Sequence, residues 1–131
     1  MKRLLIILVV IAALGAAVAV YIWNKPHATV EGKNGIAMTA DSLANAFSTD
    51  EQLANERFLN EIIEVSGVVW EINENQDRKT VITLSVTDPL SGVQCTMKDP
   101  AKNVKKGDVI RVKGFCNGFT LTVLLSDCII L

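Results

Sequence analysis

From Glu61 to Leu131 the chain repeats one unit: a short run rich in β-branched and apolar residues, then a polar turn. Five such runs follow one another, which leaves few architectures open to the chain. The first spans Ile62 to Ile72 and is long for a strand. Its apolar parity slips near Gly67, as at a bulge or bend where no side chain obstructs close backbone approach. Asn73-Glu74-Asn75-Gln76-Asp77 then makes a polar loop. The second run, Thr80 to Thr87, alternates: Ile82, Leu84 and Val86 on one face, Thr83, Ser85 and Thr87 on the other. Period-two alternation puts one face in a core and the other in water.

Asp88-Pro89-Leu90-Ser91-Gly92 reads as a turn, since it carries both Pro and Gly. The third run places Val93, Cys95 and Met97 inward and Gln94, Thr96 and Lys98 outward. The linker from Asp99 to Asp108 has room for one helical turn, with Asp99 as N-cap and Pro100 at the first helical position. The fourth run, Val109 to Cys116, is predicted to turn at Asn117-Gly118 into the fifth, Phe119 to about Ile130, because Asn-Gly between apolar runs favours a tight hairpin. A long bent first strand, five strands in all, and a linker between the third and fourth predict a mainly β chain folded as a five-stranded Greek-key OB-fold barrel. Another small β-barrel or half-sandwich is the rival.

The other end of the chain is built for lipid. After Met1-Lys2-Arg3, the run Leu4 to Trp23 holds no charge and, as a helix, reaches about 30 Å, the thickness of a bilayer core. Tyr21 and Trp23 lie at its far end, where aromatic rings favour the interface, and Lys2 and Arg3 favour a cytoplasmic N-terminus. The expected location is therefore a single-pass inner-membrane protein with a periplasmic barrel. The alternative is a signal peptide cleaved near Ala19, after Ala17-Val18-Ala19, which would release the barrel into the periplasm. Residues 1–23 are thus anchor or signal. Residues 24–38 read as a flexible tether, and His27, the only histidine, lies in it, a poor place for a metal ligand or general base.

Residues 39–60 read as helical. Thr39 suits an N-cap with Asp41 in the first turn, and Leu43 and Phe47 share a face. Ser48 with Glu51 and Thr49 with Gln52 both match a capping box, so a second helix or a kink begins near Ser48. The stripe Leu43, Phe47, Leu53, Ala54 and Phe58 is expected to pack on the barrel of residues 61–131. Asp50, Glu51 and Glu56 read as a solvated acidic face.

Three basic residues, Lys2, Arg3 and Lys25, flank the apolar run, so the remaining 10 face all 14 acidic ones. A backbone-tracking nucleic-acid binder usually carries a net positive domain. This one is near −4, although Lys98, Lys102, Lys105, Lys106, Arg111 and Lys113 offer a local patch. No nucleophile elbow, metal-ligand spacing or phosphate loop is present, so no catalytic residue, cofactor or metal ligand is assigned, and the chain is read as a non-enzyme. Cys95, Cys116 and Cys128 fall in strands. In an oxidising compartment Cys95 pairs most readily with Cys116 or Cys128, while three buried thiols are the alternative. Cys128 sits off the core parity of its strand unless that strand slips.

The pattern Leu43-x-x-x-Phe47-x-x-Asp50-Glu51-x-x-Ala54-Asn55-x-x-Phe58, with Val65-x-Gly67-x-Val69, Gly92-Val93-x-Cys95, Val112-x-Gly114-x-Cys116-x-Gly118 and Val123-x-Leu125-x-Asp127-Cys128, resembles the tRNA-anti-like family of bacterial OB-fold proteins. Many of its members are short membrane- or lipid-anchored proteins of Bacteroidetes-type bacteria. The resemblance covers about Thr39 to Leu131 and implies an OB-fold behind a helical segment. It carries over no functional residues.

OB barrels commonly bind on the face of strands two and three and through the loops joining strands one–two and four–five. Here those positions are Thr83, Ser85, Thr87, Gln94, Thr96, the loop Asn73 to Asp77, and the tip Asn117-Gly118-Phe119, with Trp70 and Phe119 as anchors. The small polar surface predicts a protein, peptide or glycan partner. Single-stranded nucleic acid is the alternative; it needs a positive groove with several stacking aromatics, and only five Phe or Trp follow the apolar run.

Overall fold

The computed structural model describes residues 1–25 and 29–131; His27 lies outside the described residues. Helix α1 (Lys2–Asn24) is apolar and fully exposed, and by length and composition it can cross a membrane.

Strand β1 (Ile36–Thr39) follows, then helices α2 (Ala40–Thr49) and α3 (Glu51–Phe58), then strands β2 (Ile62–Glu74), β3 (Thr80–Leu84), β4 (Val93–Met97), β5 (Val109–Phe119) and β6 (Val123–Ile130). The sheet order is β1-β2-β3-β4-β6-β5, and β2 also pairs with β5. Strands β2 to β6 therefore close into the expected five-stranded OB barrel, with β1 as an added strand. β2 is long because it serves two partners: Ile62 to Val68 pair with β5, and Val69 to Glu74 with β3. The handover falls just past Gly67, where an added Cβ would stand 3.1 Å from Ala40 Cβ and 3.3 Å from Leu84 Cβ. The register shift itself lies between Val69 and Glu71, at Trp70.

The core unites both segments. Ile63, Val65, Val69, Ile82, Leu84, Val93, Cys95, Met97, Val112, Cys116, Val123, Leu125 and Cys128 point inward, and Leu43, Phe47, Ala54 and Phe58 join the same cluster. The Phe47 ring lies 6.1 Å from Phe58 and stacks at 5.7 Å on Phe119. The two helices thus pack onto the barrel through that stripe. Leu53 is the exception: it is exposed.

Several local expectations shift. Thr39 caps α2, its Oγ1 accepting from Ser42 N at 3.1 Å. Neither capping box forms: Asp50 ends α2 and caps α3, its Oδ1 accepting from Leu53 N, while the Ser48 hydroxyl donates to Asn45 O. The linker 99–108 forms turns and no helix. Its C-terminal end is pinned to β2 instead, by Gly107 N to Val69 O and Val69 N to Asp108 O, both 2.8 Å.

Asn117-Gly118 is not the hairpin turn. β5 runs through it with a register shift between Cys116 and Gly118, and the reversal comes at residues 120–122. Gly118 has φ +111°, which suits a bulge as well as it would a turn.

The segment predicted as tether also changes. Val30 is buried, Lys98 Nζ pairs with Glu31 Oε1 at 2.9 Å, Lys113 Nζ donates to Lys33 O at 2.7 Å, and β1 begins at Ile36. Residues 30–39 therefore lie along the barrel as a strap.

Candidate binding site

A cleft of about 470 Å³ opens between the first turns of α2 and the loop from β3 to β4, lined by Asp41, Ser42, Ala44, Asn45, Ser48, Val86, Thr87, Asp88 and Ser91. Asp41 ties its two walls together: Oδ1 accepts from Thr87 N at 2.5 Å. That bond holds the Asp41 carboxyl below its ordinary pKa of 3.8, the backbone N–H of Thr87 being the main cause and its hydroxyl the second. Ser91 Oγ is buried and has no hydrogen-bond partner among the described residues, an unpaired polar group that costs free energy behind the cleft wall. The polar side chains that the cleft exposes to a ligand are those of Asp41, Ser42, Asn45, Ser48, Thr87 and Asp88.

A smaller hollow of about 180 Å³ adjoins it, sharing Val86, Thr87, Asp88 and Ser91 and adding Trp70, Thr83, Leu84, Ser85 and Pro89. Trp70 is 58% exposed, and Lys106 Nζ lies 4.6 Å from its ring centroid. No Lys or Arg lines either hollow, whereas Asp41 and Asp88 do.

Among the positions expected from the sequence, the structure gathers Trp70, Thr83, Ser85 and Thr87 here. Gln94 and Thr96 are half-buried on the outer face of β4, opposite Thr83 and Val81, and line neither hollow. Asn117 is exposed in the β5 bulge and Phe119 is committed to the Phe47 stack, so neither joins the site. The loop 73–77 is occupied with itself, since Asn75 Oδ1 accepts from Asp77 N and Lys79 N. Asp41, Ser42, Asn45, Ser48, Asp88 and Ser91 were not anticipated. They meet only because a helix and a loop some 46 residues apart in sequence come together, as the Asp41–Thr87 bond records.

The three cysteines are buried free thiols. Of the two pairings left open for Cys95, the one with Cys116 conflicts with the sheet: Leu125 of β6 pairs with Cys95 on one side and Cys116 on the other. Two strand spacings, about 9.5 Å, exceed the roughly 7 Å a disulfide spans between Cα atoms. Cys128 reaches the core because β6 slips, with Asp127 at φ +49°. The neighbouring Cys95 thiol and burial push the pKa of the Cys128 thiol up. Burial likewise raises Cys116. Among the described residues, no group of three or more His, Cys, Asp or Glu is placed to hold a metal.

The family model for tRNA_anti-like proteins matches residues 1–129. The chain belongs to the tRNA_anti-like family. Among solved structures, this tRNA_anti-like chain is similar to a protein of Klebsiella pneumoniae subsp. pneumoniae MGH 78578 described as a "putative nucleic acid-binding lipoprotein". The two are 14% identical with a TM-score of 0.53, over 72% of this chain and 92% of the other. At that identity the likeness establishes the shared fold. No curated protein matches the chain. Fold and family together support an OB-fold binding module for this tRNA_anti-like protein.

Proposed function

We propose that the protein is a membrane-tethered, non-catalytic binding module. In this reading α1 stays in the inner membrane with Lys2 and Arg3 in the cytoplasm, and the barrel faces the periplasm. The ligand is a neutral or basic peptide, a protein segment or a glycan, held between α2 and the β3–β4 loop.

The observation that carries the ligand reading is the lining itself. It offers the exposed hydroxyl, amide and carboxylate groups of Ser42, Ser48, Asn45, Asp41 and Asp88, with the exposed Trp70 ring at one side. Such a surface suits sugar hydroxyls or peptide N–H groups, and its two carboxylates repel a phosphodiester backbone. Single-stranded nucleic acid is the second reading. It is favoured by the description of the Klebsiella protein and by the cation beside Trp70.

The test screens the full chain, in lipid nanodiscs, on a glycan array and a peptide array, with oligo(dT) titrated in parallel. The proposal expects a glycan or peptide hit that weakens about tenfold in Asn45→Ala, the loss of one hydrogen bond. Binding to oligo(dT) alone, surviving physiological salt, would overturn it in favour of the second reading.

A further inference from the structure

The outer face of β2 and β5 presents apolar side chains to water. Val68 and Val109 are cross-strand partners, 41% and 77% exposed, and Trp70 stands beside Val68 at 58%. The β4–β5 loop, pinned to β2 through Val69, sets Lys106 over the Trp70 ring. The same loop puts Lys102 in one hollow with Val109 and ties Lys105 N to Asp108, which precedes Val109; all three lysines are exposed.

Charge reverses locally here. The barrel and its strap carry more acid than base, yet residues 98–111 hold five basic residues against Asp99 and Asp108. Lys98 and Arg111 are used in ion pairs with Glu31 and Glu64, whereas Lys102, Lys105 and Lys106 have none among the described residues. Asp108 is turned into its own loop, Oδ2 accepting from Lys105 N, which leaves Glu71 as the exposed acid next to Trp70.

The number of residues between α1 and Val30 adds a second constraint. Five residues, 25–29, separate the end of α1 from buried Val30, so the two points are at most about 20 Å apart. If α1 spans a bilayer, the strap holds the barrel against that bilayer's surface. The strap crosses β5 at Lys113, four residues from Val109 on the same face of the same strand.

We propose that Val68, Trp70 and Val109, with Lys102, Lys105 and Lys106 on the adjoining β4–β5 loop, dock on the anionic phospholipid headgroups of the membrane in which α1 is anchored. Indole and aliphatic side chains enter the headgroup boundary, and lysines around them meet its negative potential. A single-stranded nucleic acid is the less suited partner: it wants successive stacking platforms, and the neighbours of Trp70 on this face are two valines. Docking orients the barrel and so fixes which way the α2 cleft opens. This inference rests on the tethered reading, and the two are tested separately.

The full chain carrying Trp23→Phe, with Trp70 as its only tryptophan, is reconstituted into vesicles of phosphatidylcholine, with or without phosphatidylglycerol, bearing plain or brominated acyl chains. Flotation with the vesicles reports the anchor; Trp70 emission and its quenching by bromine report the docked face. Flotation with both lipids is expected, with blue-shifted, bromine-quenched Trp70 emission only where phosphatidylglycerol is present. Lys102→Gln and Lys105→Gln should each lower the docked-to-free ratio about fivefold, and Val109→Asp should abolish docking at a side chain the fold does not bury. Flotation with unquenched Trp70 emission in every lipid overturns docking and leaves the anchor standing. Absence of flotation overturns the anchor and docking with it. Oligo(dT) shifting Trp70 emission while anionic vesicles do not overturns docking in favour of nucleic acid.

Discussion

At Gly114 the reason for a glycine is another residue's sulfur. A Cβ there would overlap Cys128 Sγ and stand 2.9 Å from Ser126 O. Gly114→Ala should therefore destabilise the barrel by roughly 1–3 kcal/mol, the usual cost of overpacking a core. A urea melt checks this, and the companion change Cys128→Ala should recover part of the loss. The glycine was visible in the sequence as part of a spaced pattern, but its cause was not, because Cys128 becomes inward only through the left-handed Asp127. Asp41 shows the same limit. Its place in the first turn of a helix was legible; its bond to Thr87 was not. That bond sets a pH dependence. The folded carboxyl titrates below its ordinary 3.8, so the stabilisation is complete above that value and is lost as pH falls through the folded pKa. Acid titration of stability should show wild type losing ground against Asp41→Asn below about pH 4, with the difference constant near neutrality.

Among the elements, those with clean alternation were the easiest to read. β4 keeps Val93, Cys95 and Met97 buried as the pattern required. Elements that break a rule locally were misplaced. Asn117-Gly118 carries the chemistry of a hairpin turn, yet the strand continues because a bulge uses the same positive φ. β1 was read as tether since four residues, Ile36 to Thr39, give too short a pattern to register, and what makes them a strand is the free edge of β2 between Ile63 and Ser66. The helix pair was legible as two segments, but the joint falls on Asp50, which caps α3. Asp50→Ala should cost about 1 kcal/mol, measurable as a lowered melting midpoint, whereas Ser48→Ala, once a candidate cap, should change little. Phe47→Ala should cost about 3–5 kcal/mol in the same melt, because that ring joins α3 and β5 in one core.

For the whole molecule, the barrel and the apolar helix are the parts the sequence declared most openly, since strand period and uninterrupted hydrophobicity need no tertiary context. What it withheld is how they are joined. Val30, Glu31 and Lys33 strap the barrel, and five residues of sequence connect that strap to α1. With α1 spanning a bilayer, as proposed, that connection keeps the barrel near the bilayer surface. The central proposal to test is a barrel held at the exported face of the inner membrane. The direct measurement is protease accessibility of a tag placed after Leu131, with the cells fractionated before and after alkaline carbonate washing. The account predicts that the full-length chain stays with carbonate-washed membranes and that protease added to spheroplasts removes the tag. A tag that resists protease until the cells are lysed, or a barrel recovered as a soluble periplasmic fragment beginning near Val20, would contradict it.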